Sequence, residues 1–206
     1  MKRRLFIAFL LLLMFILWTV AVSTIDVHAI GPGGSKVGFA TLNEWFHRHT
    51  GVHMVLYHIT DWLGLVPVAV GFGFAILGLA QWINRKSILK VDFDILVLGG
   101  FYILTLAGYL LFEEFVINYR PVLINGYLEA SYPSSTTLLV LCVMPTAKLL
   151  LRKRGCHRIW QYLIDGFILF MVVGRLISGV HWLTDIIGGI LLSAALVMLF
   201  RSICDL

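Results

Sequence analysis

Charge is scarce in this 206-residue chain: Lys, Arg, Asp and Glu together make up 13% of it, about half the share of an ordinary soluble domain. A soluble globular surface cannot be covered with so few charges, so that class is excluded. Cysteine is also sparse. The three residues, Cys142, Cys156 and Cys204, lie in or beside apolar stretches, which excludes a disulfide framework as the basis of the fold. No internal repeat, low-complexity tract or separate soluble segment interrupts the chain, so residues 1–206 read as a single domain.

What is present is hydrocarbon: 60% of the residues are hydrophobic. A membrane-crossing helix needs roughly 20 apolar residues, and the sequence predicts six: 5–24, 63–83, 95–111, 137–151, 159–176 and 183–200. The fold class is therefore an all-α integral membrane protein with six transmembrane helices joined by short loops. The first stretch, led by Lys2, Arg3 and Arg4, has the look of a secretory signal with "VHA" at 27–29 as a cleavage site; its apolar core is long enough to span, and a retained span is the expectation. "GPGGS" at 31–35 is a flexible turn. "VGFATLNEWFHRHTG" after it reads as a short amphipathic helix between the first two spans, with Phe39, Leu42, Trp45 and Phe46 facing the interface.

Basic residues stay on the cytoplasmic side of short loops. Lys2, Arg3, Arg4, Arg85, Lys86, Lys90, Lys148, Arg152, Lys153, Arg154, Arg158 and Arg201 all fall on one side of a six-span topology. Both termini are thus expected in the cytoplasm, in a plasma or inner membrane. The net charge of +5 is an orientation signal and gives no reason to expect nucleic-acid binding. Lys36, Arg48, Arg120 and Arg175 lie on or near the opposite, outer side and are candidates for binding an anion.

Ionisable groups at membrane depth are costly and mark function. "GRLISGVHWLTDIIGG" at 174–189 places Arg175, His181 and Asp185 between two apolar stretches. Four residues apart, His181 and Asp185 share a helix face, where the carboxylate would accept the Nδ1 proton and leave Nε2 free to attack an electrophile. Ser178 and Gly179 break the helix, so Arg175 would close one span and His181 open the next. A second outer segment, "NYRPVLINGYLEASYPSSTTLL" at 118–139, brings Arg120 and then Ser134, Ser135 and Thr136 at a helix start, where free N–H groups suit an anion. Two guanidinium forks add bidentate phosphate recognition. Phosphate anchoring with a carboxylate-oriented histidine suits phosphoryl transfer, and a structural hydrogen-bonded cluster is the alternative.

Arg175, His181 and Asp185, with five and three residues between them, resemble the third signature of the type 2 phosphatidic acid phosphatase (PAP2) superfamily. Arg120-Pro121 resembles the end of its first signature, and "YPSS" its second, in the family's order. The resemblance implies a PAP2-like bundle in which His181 is the nucleophile forming a phosphohistidine, Asp185 orients it, and Arg120, Arg175, Ser134 and Ser135 hold phosphate oxygens. It implies a metal-independent lipid phosphatase or diphosphatase, without cofactor, acting on a membrane lipid phosphate or isoprenoid diphosphate at the outer face.

Three positions depart from the family pattern. Glu113 stands where the first signature has Lys, Thr136 where the second has its proton-donating His, and Gly174 where the third has Ser. A threonine is no general acid near neutral pH, and losing such catalysis costs about 10²- to 10⁴-fold. Either the leaving group needs little protonation, or Glu113 or Glu114 supplies the proton, or the protein transfers the phosphoryl or head group to another acceptor or binds lipid without turnover. His47, His49, His53 and His58 lack a recognisable metal-binding spacing and read as interfacial. "HITDWLG" at 58–64 echoes "HWLTDIIGG", an echo read as chance. The glycines of "VGFGFAILGLA" at 70–80 are expected to let spans pack closely.

Overall fold

The computed structural model describes residues 2–205; Met1 and Leu206, the ends of the single domain expected over 1–206, lie outside the described residues. Its α-helices in chain order are α1 (Lys2–Thr24), α2 (Ala40–Thr50), α3 (Met54–Leu63), α4 (Leu65–Arg85), α5 (Phe93–Glu114), α6 (Ser135–Lys153), α7 (Arg158–Ile177) and α8 (Leu183–Ile203). Among the described residues, six helical stretches are long and apolar enough to cross a membrane: α1, α3 joined to α4, and α5 to α8. The six expected spans are all there, and the molecule is a multi-pass membrane protein.

The second span differs from expectation. It begins at Met54 and not near residue 63, because Gly64 keeps a helical conformation and its N–H bonds back to Thr60 and Asp61. The polar residues His58, Thr60 and Asp61 hid this extension, since they interrupt the apolar run that defines a span in sequence. Their position on α3 matters below.

The outer helices show their apolar side chains to lipid, while α6 and α8 are the most buried. α1 runs antiparallel to α8: Arg4 pairs with Asp205 at one end, and Trp18 Nε1 donates to Thr184 O at the other. Gly188 and Gly189 on α8 permit close approach in this core. A Cβ at Gly188 would lie 2.6 Å from the Tyr132 ring, and one at Gly189 3.2 Å from Thr137. Tyr132 in turn bonds Thr19 of α1 at 2.7 Å, so α1, α8 and the segment before α6 are locked together.

α2 does more than lie at an interface. Leu42 and Trp45 are exposed, as an interfacial face requires, but Asn43 is buried and caps α8, donating to Thr184 Oγ1 at 2.9 Å and accepting from Thr184 N at 3.3 Å. The ends of α4, α5, α6 and α7 that carry the basic residues are tied by ion pairs of Asp92 with Arg85 and Arg154, Asp94 with Lys153, and Asp165 with Lys148. These pairs are partly exposed and contribute little stability each.

Candidate active site

α7 ends at Ile177, and the chain turns through Ser178 and Gly179 before α8 starts at Leu183. Gly179 has φ +70°, and a Cβ there would lie 2.0 Å from Gly51 O; only glycine fits this turn. Ser178 O accepts from His53 N, and Gly179 O contacts His47 Nε2 at 3.0 Å. The junction of α2 and α3 thus clamps the loop that presents His181. The expected break between Arg175 and His181 is where the sequence places it.

His181 and Asp185 meet, but not as expected. His181 precedes α8, while Asp185 sits in its first turn and accepts from Trp182 N at 2.9 Å. No direct bond joins imidazole and carboxylate. Ser131 stands between them: its hydroxyl donates to Asp185 Oδ2 at 2.6 Å and lies 2.9 Å from His181 Nδ1. Because the single hydroxyl proton goes to the carboxylate, Nδ1 must be the protonated ring nitrogen, donating to Ser131 Oγ. Asn118 Nδ2 holds the other carboxylate oxygen at 3.1 Å. All four side chains are buried.

His181 Nε2 is buried with no hydrogen-bond partner, as are Arg120 Nη1 and Arg175 Nε. Burial, and then the charges of Arg120 and Arg175, hold the His181 imidazole well below its usual protonation range. The nitrogen aimed into the site is therefore a free lone pair. Both guanidinium groups flank one ring, Arg175 at 5.0 Å and Arg120 at 6.0 Å from the centroid of Tyr57. Arg120 pairs with Glu129 at 3.2 Å, and Arg175 reaches Asp61 at 3.5 Å.

The serines at the start of α6 divide in role. Ser134 is fully buried, accepts from Thr137 Oγ1, and spends its N–H on Asp185 O. Ser135 is only partly buried and opens α6, whose first-turn N–H groups have no partner within the helix. Thr136 accepts a hydrogen bond from Arg175 Nη2 at 2.7 Å. Glu113 and Glu114 are exposed at the end of α5.

An apolar cavity of about 600 Å³ opens beside these groups, lined by Pro67, Phe72, Leu106, Leu138 and Leu139, with Asp61, Ser135 and Thr136 among its polar residues. Phe72 and Leu106 are exposed on the outer surface of the bundle, so the cavity opens sideways toward lipid. Among the described residues no group of three or more His, Cys, Asp and Glu is placed to hold a metal; His47 and His53 serve backbone carbonyls instead.

Sequence reasoning missed Ser131, Asn118, Tyr57, Thr60 and Asp61. Ser131 and Asn118 lie within the 118–139 segment already singled out, whereas Tyr57, Thr60 and Asp61 come from α3, read in sequence as a loop and a chance echo.

Residues 106–204 match the family model of the PAP2 superfamily. Among solved structures, the chain is similar to the first transmembrane PAP2 type phosphatidylglycerolphosphate phosphatase from Bacillus subtilis, with 18% identity over 96% of each chain and a TM-score of 0.55. At that identity the likeness is one of fold. No curated protein matches the chain.

Proposed function

From a chain whose residues 106–204 belong to the PAP2 superfamily, we propose a membrane lipid phosphatase or diphosphatase that works through a phosphohistidine on His181, without a metal, at the outer face. The observation that carries this reading is the state of His181: buried, fixed by Ser131 and Asp185 at Nδ1, and unpartnered at Nε2 beside two buried arginines.

Nε2 attacks phosphorus while the lipid oxygen leaves, and water then cleaves the P–N bond. Ser131 and Asp185 accommodate the positive character that develops on the imidazole, and Asn118 keeps the carboxylate oriented. Arg120 and Arg175 place donors where phosphoryl oxygens gain charge, and the first turn of α6 at Ser135 adds backbone N–H groups. The lateral cavity supports a lipid as the leaving group, since its walls match an acyl or isoprenoid chain. Basic residues gathered at the other end of the bundle support an outward-facing site.

The test is phosphate release from a panel of lipid phosphates and diphosphates by protein in detergent, with chelator present. His181→Ala is expected to abolish release, and undiminished release overturns the mechanism. A transferase instead yields a new phosphorylated lipid with little free phosphate when an acceptor is supplied.

A further inference from the structure

Thr136 occupies the place of a proton donor and is engaged by Arg175, so the lipid oxygen that leaves has no acid there. The leaving oxygen must emerge where the polar cluster meets the apolar cavity, because its chain occupies the cavity. Asp61 sits at that junction: it lines the cavity with Thr136, and its Oδ1 lies 3.5 Å from Arg175 Nη2. Its side chain is 53% exposed, against 1% for Arg175, so the carboxyl group can reach water. Among the described residues it is the one Asp or Glu lining the cavity; the other polar side chains there are hydroxyls of Ser, Thr and Tyr, poor proton donors at neutral pH. Glu129 faces Arg120 instead.

Resting on the phosphatase reading above, we propose that Asp61 is the proton carrier on the leaving-group side. In the first step the P–O bond to the lipid breaks, the P–N bond to His181 Nε2 forms, and the Asp61 carboxyl proton passes to the departing oxygen, releasing an alcohol. In the second step water attacks phosphorus, the P–N bond breaks, its electron pair returns to Nε2, and the Asp61 carboxylate takes the water proton. The net change is a phosphate ester plus water giving an alcohol plus phosphate, and Asp61 ends protonated for the next turnover. Bound phosphate takes Arg175 from Asp61, and the freed carboxylate, open to water, takes up the proton it then carries to the leaving oxygen.

The test compares Asp61→Asn and Asp61→Glu with wild type on two probes, a dialkylglycerol phosphate and 4-nitrophenyl phosphate, whose phenolate leaves without a proton. Asp61→Asn is expected to lower kcat on the alkyl ester by about 10²- to 10⁴-fold. On the aryl ester it is expected to give a stoichiometric burst of nitrophenolate, then slow turnover, with an acid-labile phosphoryl group trapped on His181. Asp61→Glu is expected to recover part of the alkyl turnover. Wild-type kcat in Asp61→Asn with only a lowered KM overturns the assignment, since it means that Asp61 merely competes for Arg175. Loss of the burst in Asp61→Asn overturns it too, because that step needs no acid. Full activity in His181→Ala, or no turnover by wild type on any probe, overturns the phosphatase reading itself and this assignment with it.

Discussion

At the scale of single residues, Ser131 decides which nitrogen of His181 carries the proton. A hydroxyl between imidazole and carboxylate fixes the tautomer as a direct bond would, yet it keeps the carboxylate charge one group further away. Ser131→Ala would remove the hydroxyl that joins His181 Nδ1 to Asp185 and leave one buried Asp185 lone pair without its donor, a cost of about 1–3 kcal/mol. Phosphate release is expected to fall about 10- to 100-fold, with a lowered Tm, and Ser131→Thr to retain most of both. The pH profile follows from the same cluster. Burial, and then the charges of Arg120 and Arg175, hold His181 well below the ordinary imidazole range near 6.5, so the imidazole proposed as nucleophile stays neutral in mildly acidic solution. The acidic limb of kcat/KM is therefore expected below pH 6.5. Stability has the matching sign. Below pH 6.5 the unfolded chain binds a proton that folded His181 refuses, so the folded state loses stability as pH falls through that window. Chemical unfolding of wild type and His181→Ala at several pH values measures the difference, which is expected to narrow toward acid.

At the scale of elements, Gly174 explains how α3 enters the site. A Cβ at Gly174 would lie 2.8 Å from Thr60 Cγ2 and 3.6 Å from Leu56 Cδ1. The glycine at this position of α7 is thus what lets α3 pack close enough to bring Tyr57, Thr60 and Asp61 against Arg175. Gly174→Ala is expected to push α3 outward and weaken the Arg175 contacts, reducing phosphate release several-fold. Thr60→Ser removes the clashing methyl group, so the double variant is expected to recover much of that loss. A double-mutant cycle on activity reads the coupling, expected at about 1 kcal/mol for groups in contact. This contact was not legible in the sequence, where Gly174 is only a departure from a pattern. Its meaning depends on a methyl group 114 positions away. The break at Ser178 and Gly179 was legible, because a turn with positive φ announces itself locally.

At the scale of the whole molecule, membrane physics made the spans readable: length and apolar content alone set six of them, and the basic loops set their common side. The site was readable only where one helix end carried its own signature, at Arg175, His181 and Asp185. The relay through Ser131 and the carboxyl group of Asp61 are products of packing between distant spans, and no local pattern encodes them. The lateral cavity is likewise a property of the bundle, formed by α4, α5 and α6 together. If it holds the lipid chain, narrowing it should separate substrates by their tails and leave the chemistry at His181 untouched. Ala75 lines the cavity from α4 and is none of the residues proposed for the chemistry. Ala75→Trp would fill part of the cavity with an indole ring and displace two or more methylenes of a bound chain. At about 0.8 kcal/mol per methylene, KM for a long-chain lipid phosphate is expected to rise about 10-fold or more. The same variant is expected to hydrolyse 4-nitrophenyl phosphate at the wild-type rate, because that substrate has no chain to seat. Equal losses on both substrates would place the reacting phosphate, and not the tail, in the cavity, and would move the lipid path elsewhere on the bundle.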